Sequence, residues 1–118
     1  MNYYSVELPV KKLLYGVNRN KEWWEKYPRR IKMLNKLTES IEKEGLKNPL
    51  FVSETNKGYV VDVGNQRLQA LNNLNYKKVK CILYSKKNYL NYEKLKPEQC
   101  VLPDDVDLWD ADIQFKEE

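Results

Sequence analysis

The sequence predicts an α+β domain, a small mixed sheet of about four strands packed with helices, followed by an acidic C-terminal tail. Three observations predict it. Short β-branched or aromatic runs at residues 4–10, 50–53, 59–63 and 77–84 read as strands. Between residues 29 and 44, Ile31, Leu34, Leu37 and Ile41 recur at helical spacing and keep one face apolar. A single glycine, Gly64, joins the valine-rich run Val60, Val61 and Val63 to a second helical pattern, Leu68, Leu71 and Leu74.

The first strand contains Pro9, which lacks an N–H and so implies an edge position or an early end. Residues 11–15 lead into a polar loop at 16–20. Residues 21–27 predict a short helix anchored by Trp23 and Trp24 and closed by Pro28. The amphipathic helix over 29–44 ends at Gly45, which suits a left-handed cap. Residues 46–49 turn the chain into the second strand, and 54–58 have the composition of a hairpin loop returning to the third. After Gly64 the helix fades near Asn75 and Tyr76, and residues 77–84 form another strand. Ser85 is a suitable N-cap for a last helix over 86–95, ended by Pro97.

With 118 residues the chain has the length of one domain. Residues 1–96 form its body and 97–118 its tail. Apolar residues reach 42% beside 32% charged ones, which excludes wholesale disorder. No apolar run approaches the roughly 20 residues of a membrane span, and the first residues, Met1-Asn2-Tyr3-Tyr4, do not read as a secretion signal, so a cytoplasmic location is expected. The absence of histidine and the isolation of Cys81 and Cys100 exclude zinc-finger spacing and histidine-based triads or metal centres. Cys81 falls in a strand-like run, where a packed thiol is the expected state.

The net charge of +4 conceals an asymmetry: residues 97–118 carry one lysine against eight carboxylates, and residues 1–96 carry 20 basic against nine acidic side chains. A basic body predicts a polyanion-binding surface, and the tail could cover it or compete for it. The plainer alternative is that both charge sets only keep the chain soluble. Leu108, Trp109, Ile113 and Phe115 make the tail too apolar to be merely solvated, so it is expected to dock on the body or on a partner.

The chemistry concentrates at Gly64-Asn65-Gln66-Arg67. Glycine permits an unusual backbone angle or a close approach by a ligand. The first N–H groups of a helix lack intrahelical acceptors, and the helix dipole is positive at that end. Arg67 adds a planar cation suited to phosphate. Together these describe an anion site; the alternative is a strand–turn–helix junction whose arginine faces water. The segment is neither a P-loop nor a three-glycine dinucleotide fingerprint.

Three pieces resemble the ParB/sulfiredoxin superfamily: residues 40–52 around Glu44-Gly45-Leu46-Lys47-Asn48-Pro49, then residues 64–70 with a Gly-x-x-Arg-x-x-Ala pattern, then residues 76–83. The likeness spans residues 4–85, with an insertion at 20–28. It implies a ParB/sulfiredoxin-like fold and a nucleotide site, for a nucleoside triphosphate such as CTP or ATP, with magnesium as a companion. Gly64, Asn65, Gln66 and Arg67 would cradle phosphate, with Gly45, Asn48 and Pro49 nearby and Arg19 near the family's Asn-Pro-x-x-Arg-like stretch. Sulfiredoxins look like Gly-Cys-His-Arg here, so the nucleophilic cysteine is missing and sulfinic-acid reduction is not expected. Many small members read Asp-Gly-x-His-Arg, where this chain has Val63 and Gln66; glutamine can bond phosphate but cannot shuttle a proton.

The resemblance implies a small stand-alone protein of phage or plasmid DNA metabolism that binds nucleotide or nucleic-acid phosphate. Nuclease, NTPase or small-molecule kinase activity occurs in such relatives, and Glu44 and Asp62 are the candidate carboxylates, each equally readable as solvated surface acid. The alternative is a non-catalytic interaction module with a degenerate nucleotide site. In that reading Trp23, Trp24 and the tail make the partner contacts, although adjacent tryptophans also cap small cores. A third reading is DNA binding through Lys77, Lys78, Lys80, Lys86 and Lys87.

Overall fold

Large apolar side chains recur at every second strand position, so pairing these strands builds one continuous apolar face. The computed structural model describes residues 2–16 and 19–100; the tail from residue 101 onward, with Leu108, Trp109, Ile113 and Phe115, lies outside the described residues. The elements are β1 (Asn2–Pro9), a 3-10 turn (Val10–Lys12), β2 (Leu13–Leu14), α1 (Lys21–Glu25), α2 (Pro28–Glu44), β3 (Leu50–Thr55), β4 (Gly58–Val63), α3 (Asn65–Asn73), β5 (Lys78–Ser85), β6 (Glu93–Leu95) and a second 3-10 turn (Pro97–Cys100).

The sheet has six strands, in the order β2-β4-β3-β5-β1-β6, where about four were expected. β3 and β4 form the expected antiparallel hairpin, β3 and β5 run parallel with α3 crossing between them, and β1 is antiparallel to β5. The two additions are short edge strands, β2 beside β4 and β6 beside Tyr3, Tyr4 and Ser5 of β1. Pro9 is the last residue of β1, beyond the reach of β6, so its missing N–H breaks no ladder there.

One face supplies the core. Tyr4, Val6 and Leu8 of β1, Leu50 and Val52 of β3, Val61 of β4 and Val79, Cys81 and Leu83 of β5 are buried against Leu34 and Ile41 of α2 and Leu68 and Leu71 of α3. Burial pushes the Cys81 thiol up to about 12, so it is an inert packing group. The register skips between Phe51 and Val52, with Val61 and Val63 as successive partners on β4. Asp62 is therefore the extra residue of a bulge, which re-aims the end of β4 as it enters Gly64.

Three helix expectations need correction. Pro28 does not merely close α1; it opens α2 at its first turn, where a missing N–H costs nothing. Ile31 is 38% exposed, so the buried stripe of α2 effectively begins at Leu34. The helix expected over 86–95 does not form, and the chain bends into β6 instead. Ser85 spends its hydroxyl on Glu54, at 3.0 Å, and accepts only the Lys87 N–H, at 3.1 Å. Tyr89 and Tyr92 pack their rings on Tyr4, with centroids 5.4 and 6.3 Å away, which holds the segment off a helical path. Among the described residues no helix is long and apolar enough to cross a membrane.

Candidate functional site

The bulged end of β4 delivers the chain to Gly64, whose φ of 105° and ψ of 24° place it in the left-handed region as the N-cap of α3. A β-carbon there would stand 2.6 Å from Leu50 Cδ2 and 3.2 Å from Arg67 Nη2, so both the backbone angle and the space demand glycine. The helix begins with the Leu68 N–H donating to the Gly64 carbonyl at 2.8 Å. The N–H groups ahead of Leu68 must be satisfied from outside the helix.

All of Asn65, Gln66 and Arg67 are buried, at 1%, 2% and 3% exposure. The Arg67 guanidinium turns inward, folding back beside Gly64, and its Nη1 donates to the carbonyls of Asn48, at 2.8 Å, and Pro49, at 3.0 Å. The 46–49 turn is thereby joined to the start of α3, as the expected grouping of Asn48 and Pro49 with Arg67 requires. Asn65 is a fastener: its side-chain oxygen accepts the Gly16 N–H at 2.9 Å and its amide donates to the Val61 carbonyl at 3.0 Å. Gln66 alone of the three makes no side-chain hydrogen bond among the described residues.

Gly45 ends α2 with φ 79° and ψ 176°, a positive angle as expected but with an extended rather than left-handed ψ. Its N–H donates to the Ile41 carbonyl at 2.8 Å, and a β-carbon there would meet nothing within 4 Å. It shapes the turn into residues 46–49.

Two residues outside the sequence-based set close the site. Tyr15 donates its hydroxyl to Gln69 Oε1 at 2.7 Å and accepts from Asn72 Nδ2 at 2.7 Å, and Gly16 is held by Asn65. The segment after β2 is thus stapled along α3. Burial holds the Tyr15 phenol above its usual value, which keeps it a donor. The pairing depends on β2 docking parallel to β4, and no local pattern in residues 11–16 signals that.

Arg19 is buried, and its carbonyl accepts from Trp24 Nε1 at 2.9 Å. Trp24 is 1% exposed and belongs to the core, so it is unavailable to a partner or a base. Trp23 is half-buried, with the Arg30 guanidinium 3.5 Å and that of Arg19 4.5 Å from its ring centre. Cations on its ring account for its position without a ligand.

The candidate carboxylates sit on the surface. Glu44 pairs with Lys47 at 2.6 Å, and that hydrogen bond and charge hold its carboxyl below its usual value. Asp62 is exposed and accepts from the Ser53 hydroxyl. The basic face divides: Lys78 and Lys80 line one end of β5 with Lys47, whereas Lys86 and Lys87 lie past its other end, and Lys87 pairs with Glu54 at 3.0 Å.

A glycine-initiated helix after a strand, an inward arginine on a Pro-containing turn and a mixed sheet covered by helices on one side define an α+β fold of the ParB/sulfiredoxin type. Residues 6–94 match the ParB N-terminal domain, and the chain belongs to that family. Among solved structures it is similar to sulfiredoxin from Arabidopsis thaliana, with 25% identity and a TM-score of 0.54 over 69% of this chain and 84% of that one. It is similar to SbnI from Staphylococcus aureus, with 25% identity and a TM-score of 0.54 over 70% of this chain and 31% of that one. It also shares its fold with the C-terminally truncated chromosome-partitioning protein ParB from Caulobacter crescentus complexed with CTP-gamma-S, at 21% identity and a TM-score of 0.56 over 71% of this chain and 46% of that one. The chain therefore spans under half the length of that ParB protein. No curated protein sequence matches it.

Proposed function

We propose that this chain binds nucleotide and nucleic-acid phosphate, and that the α3 start holds the phosphates of a nucleoside triphosphate such as CTP or ATP, with magnesium arriving on the nucleotide. One observation carries the reading. Gly64, itself in the left-handed region, opens α3, and two residues on Gln66 is 2% exposed with a carboxamide that makes no hydrogen bond among the described residues. That carboxamide is available to a phosphate oxygen at the helix start, where a hydrogen bond to a charged group is worth roughly 1.5–3 kcal/mol. Family membership and the CTP-gamma-S complex of the ParB relative support the choice of ligand. The lysines at 77, 78 and 80 support nucleic acid as the second ligand class, and a place in phage or plasmid DNA metabolism fits both.

Binding is favoured over hydrolysis, because Glu44 and Asp62 are exposed and engaged by Lys47 and Ser53. Nuclease or NTPase chemistry would need a base that neither supplies in this arrangement.

A thermal-shift series with CTP, ATP and their diphosphates, with and without magnesium, tests the reading. A triphosphate at 100 times its dissociation constant should stabilise the chain by about 2.7 kcal/mol. Gln66→Glu keeps the shape but sets a carboxyl against phosphate, and should abolish the shift. If no nucleotide raises the melting temperature of the unaltered chain, the non-catalytic interaction module replaces this reading; the Val63 and Gln66 departures from the usual motif favour that alternative.

A further inference from the structure

Among the described residues the helices cover one face of the sheet, and the other face has a pattern of its own. Along β5 its residues are Lys78, Lys80, Ile82 and Tyr84, so charge gives way to an aromatic ring within one strand. Register sets Tyr84 beside Tyr3 of β1 and Ser53 of β3, and Ile82 beside Phe51. The Tyr3 and Tyr84 rings meet with centroids 4.8 Å apart, tilted by 39°. A depression of about 410 Å³ is walled by Tyr3, Phe51, Ile82 and Tyr84, with Ser53 and Asp62 supplying its polar groups. A second, of about 200 Å³, gathers Lys47, Lys78 and Lys80 beside Tyr76.

Half-exposed rings and clustered ammonium groups are each unfavourable in water, and one kind of ligand relieves both: flat bases strung on a polyanion. A duplex hides its bases. A free nucleotide brings one base to a face that carries three rings, Tyr3, Phe51 and Tyr84. An anionic membrane would satisfy the lysines and leave the rings unmatched, whereas the acidic tail, which also carries Trp109 and Phe115, would compete with a strand for this face. Lys47 is already paired with Glu44 at 2.6 Å; the other carboxylates on this side, Glu7 opposite Lys80, Glu93 opposite Ser5, and Asp62, lie on β1, β6 and β4, and β5, with Lys78 and Lys80, carries none.

We propose that this face binds single-stranded nucleic acid, with bases stacked at Tyr3, Phe51 and Tyr84 and the backbone tracking Lys80, Lys78 and Lys47. This deepens the nucleic-acid reading above; its lysine end borders the 46–49 turn that Arg67 grips, and its stacking end at Tyr3, Phe51 and Tyr84 does not include that turn.

Fluorescence anisotropy of the full chain with labelled 15-nucleotide oligo-dT, oligo-U and a duplex of equal length tests it. Either single strand should bind about tenfold tighter than the duplex. Lys78→Ala with Lys80→Ala should weaken strand binding about tenfold and flatten the salt slope by about 1.4. Phe51→Leu and Tyr84→Leu keep apolar bulk and remove the ring; each should cost about fivefold or more. A strand carrying 5-bromouracil, photocrosslinked to the unaltered chain, should mark peptides holding Tyr3, Phe51 or Tyr84. Crosslinks confined to other peptides, or equal affinity for duplex and strand, overturn the proposal. Duplex binding that depends on the lysines alone would keep the nucleic-acid reading and remove the stacking platform.

Discussion

At the start of β3 a guanidinium holds two main-chain carbonyls; at its end a carboxylate collects a serine, a lysine and a tyrosine. The first anchor is Arg67 on Asn48 and Pro49, and the second is Glu54 with Ser85, Lys87 and Tyr89. Both tie a loop to the same strand, yet their electrostatics differ. The Glu54 charge is met by Lys87 within its own cluster, so that end is complete as a latch for residues 85–92. The carbonyls that Arg67 grips are neutral, and the guanidinium folds back beside Gly64 at the positive end of α3. A cation in the first turn opposes the helix dipole, at roughly 0.3–1 kcal/mol. Of the two anchors, only the one at α3 sets a cation against the positive end of a helix.

Arg67→Ala should have the largest effect on stability. It removes two hydrogen bonds from a charged donor and leaves two carbonyls and a cavity, for a loss of about 3–4 kcal/mol in urea unfolding. Next comes Gly64→Ala, where the left-handed angle costs roughly 1–2 kcal/mol and the approach to Leu50 adds a comparable strain. Gly45→Ala makes a sharp control: its angle is also positive, but open space surrounds it, so about 1 kcal/mol is expected. Equal losses at the two glycines would show that space around Gly64 is unimportant, and with it the close packing of the α3 start.

The difference between what could and could not be foreseen follows sequence distance. β1, β3, β4 and β5, α2, and the Gly64 joint are each encoded by local period or by a single special residue, carried by residues 2–9, 28–44, 50–67 and 78–85. β2 and β6 are two and three residues long, too short to have a period, and exist because a longer strand offers them an edge. Ser85 looked like a helix cap because capping chemistry is local, whereas its actual partner, Glu54, is 31 residues away. The grouping of Asn48 and Pro49 with Arg67 is implied by the family pattern, and in the structure Arg67 Nη1 donates to both of their carbonyls. The roles within the Gly64–Arg67 segment are less legible: Asn65 serves the Gly16 loop and Arg67 the 48–49 turn. Trp23 and Trp24 show the same limit, since adjacency does not reveal that one ring is buried and the other lies against arginines.

The carboxylate anchor is the one that responds to pH, and its effects are the smaller ones. The Tyr89 hydroxyl, helped by Lys87 and Ser85 and opposed by burial, holds the Glu54 carboxyl below its usual value of 4.5. A group depressed in the folded state stabilises above its unfolded pKa, so this contribution should be lost as pH falls from 4.5 through the folded value. Burial, and then the bond to Glu54, pushes Tyr89 from 10.0 up to about 12. A raised value works the other way: the contribution is complete below 10.0 and disappears as pH climbs toward 12. Glu54→Gln should cost about 1 kcal/mol at neutral pH and flatten the acid limb of a stability–pH curve. Tyr89→Phe should cost slightly less, flatten the alkaline limb and weaken the acid one, because it removes the largest cause of the Glu54 shift. Arg67→Ala should lower the whole curve and leave both limbs in place, since neither the guanidinium nor its carbonyls titrate in that range. A shared change of shape among all three variants would mean that the two ends of β3 are one network, and the contrast between a latch and a ligand site would fail.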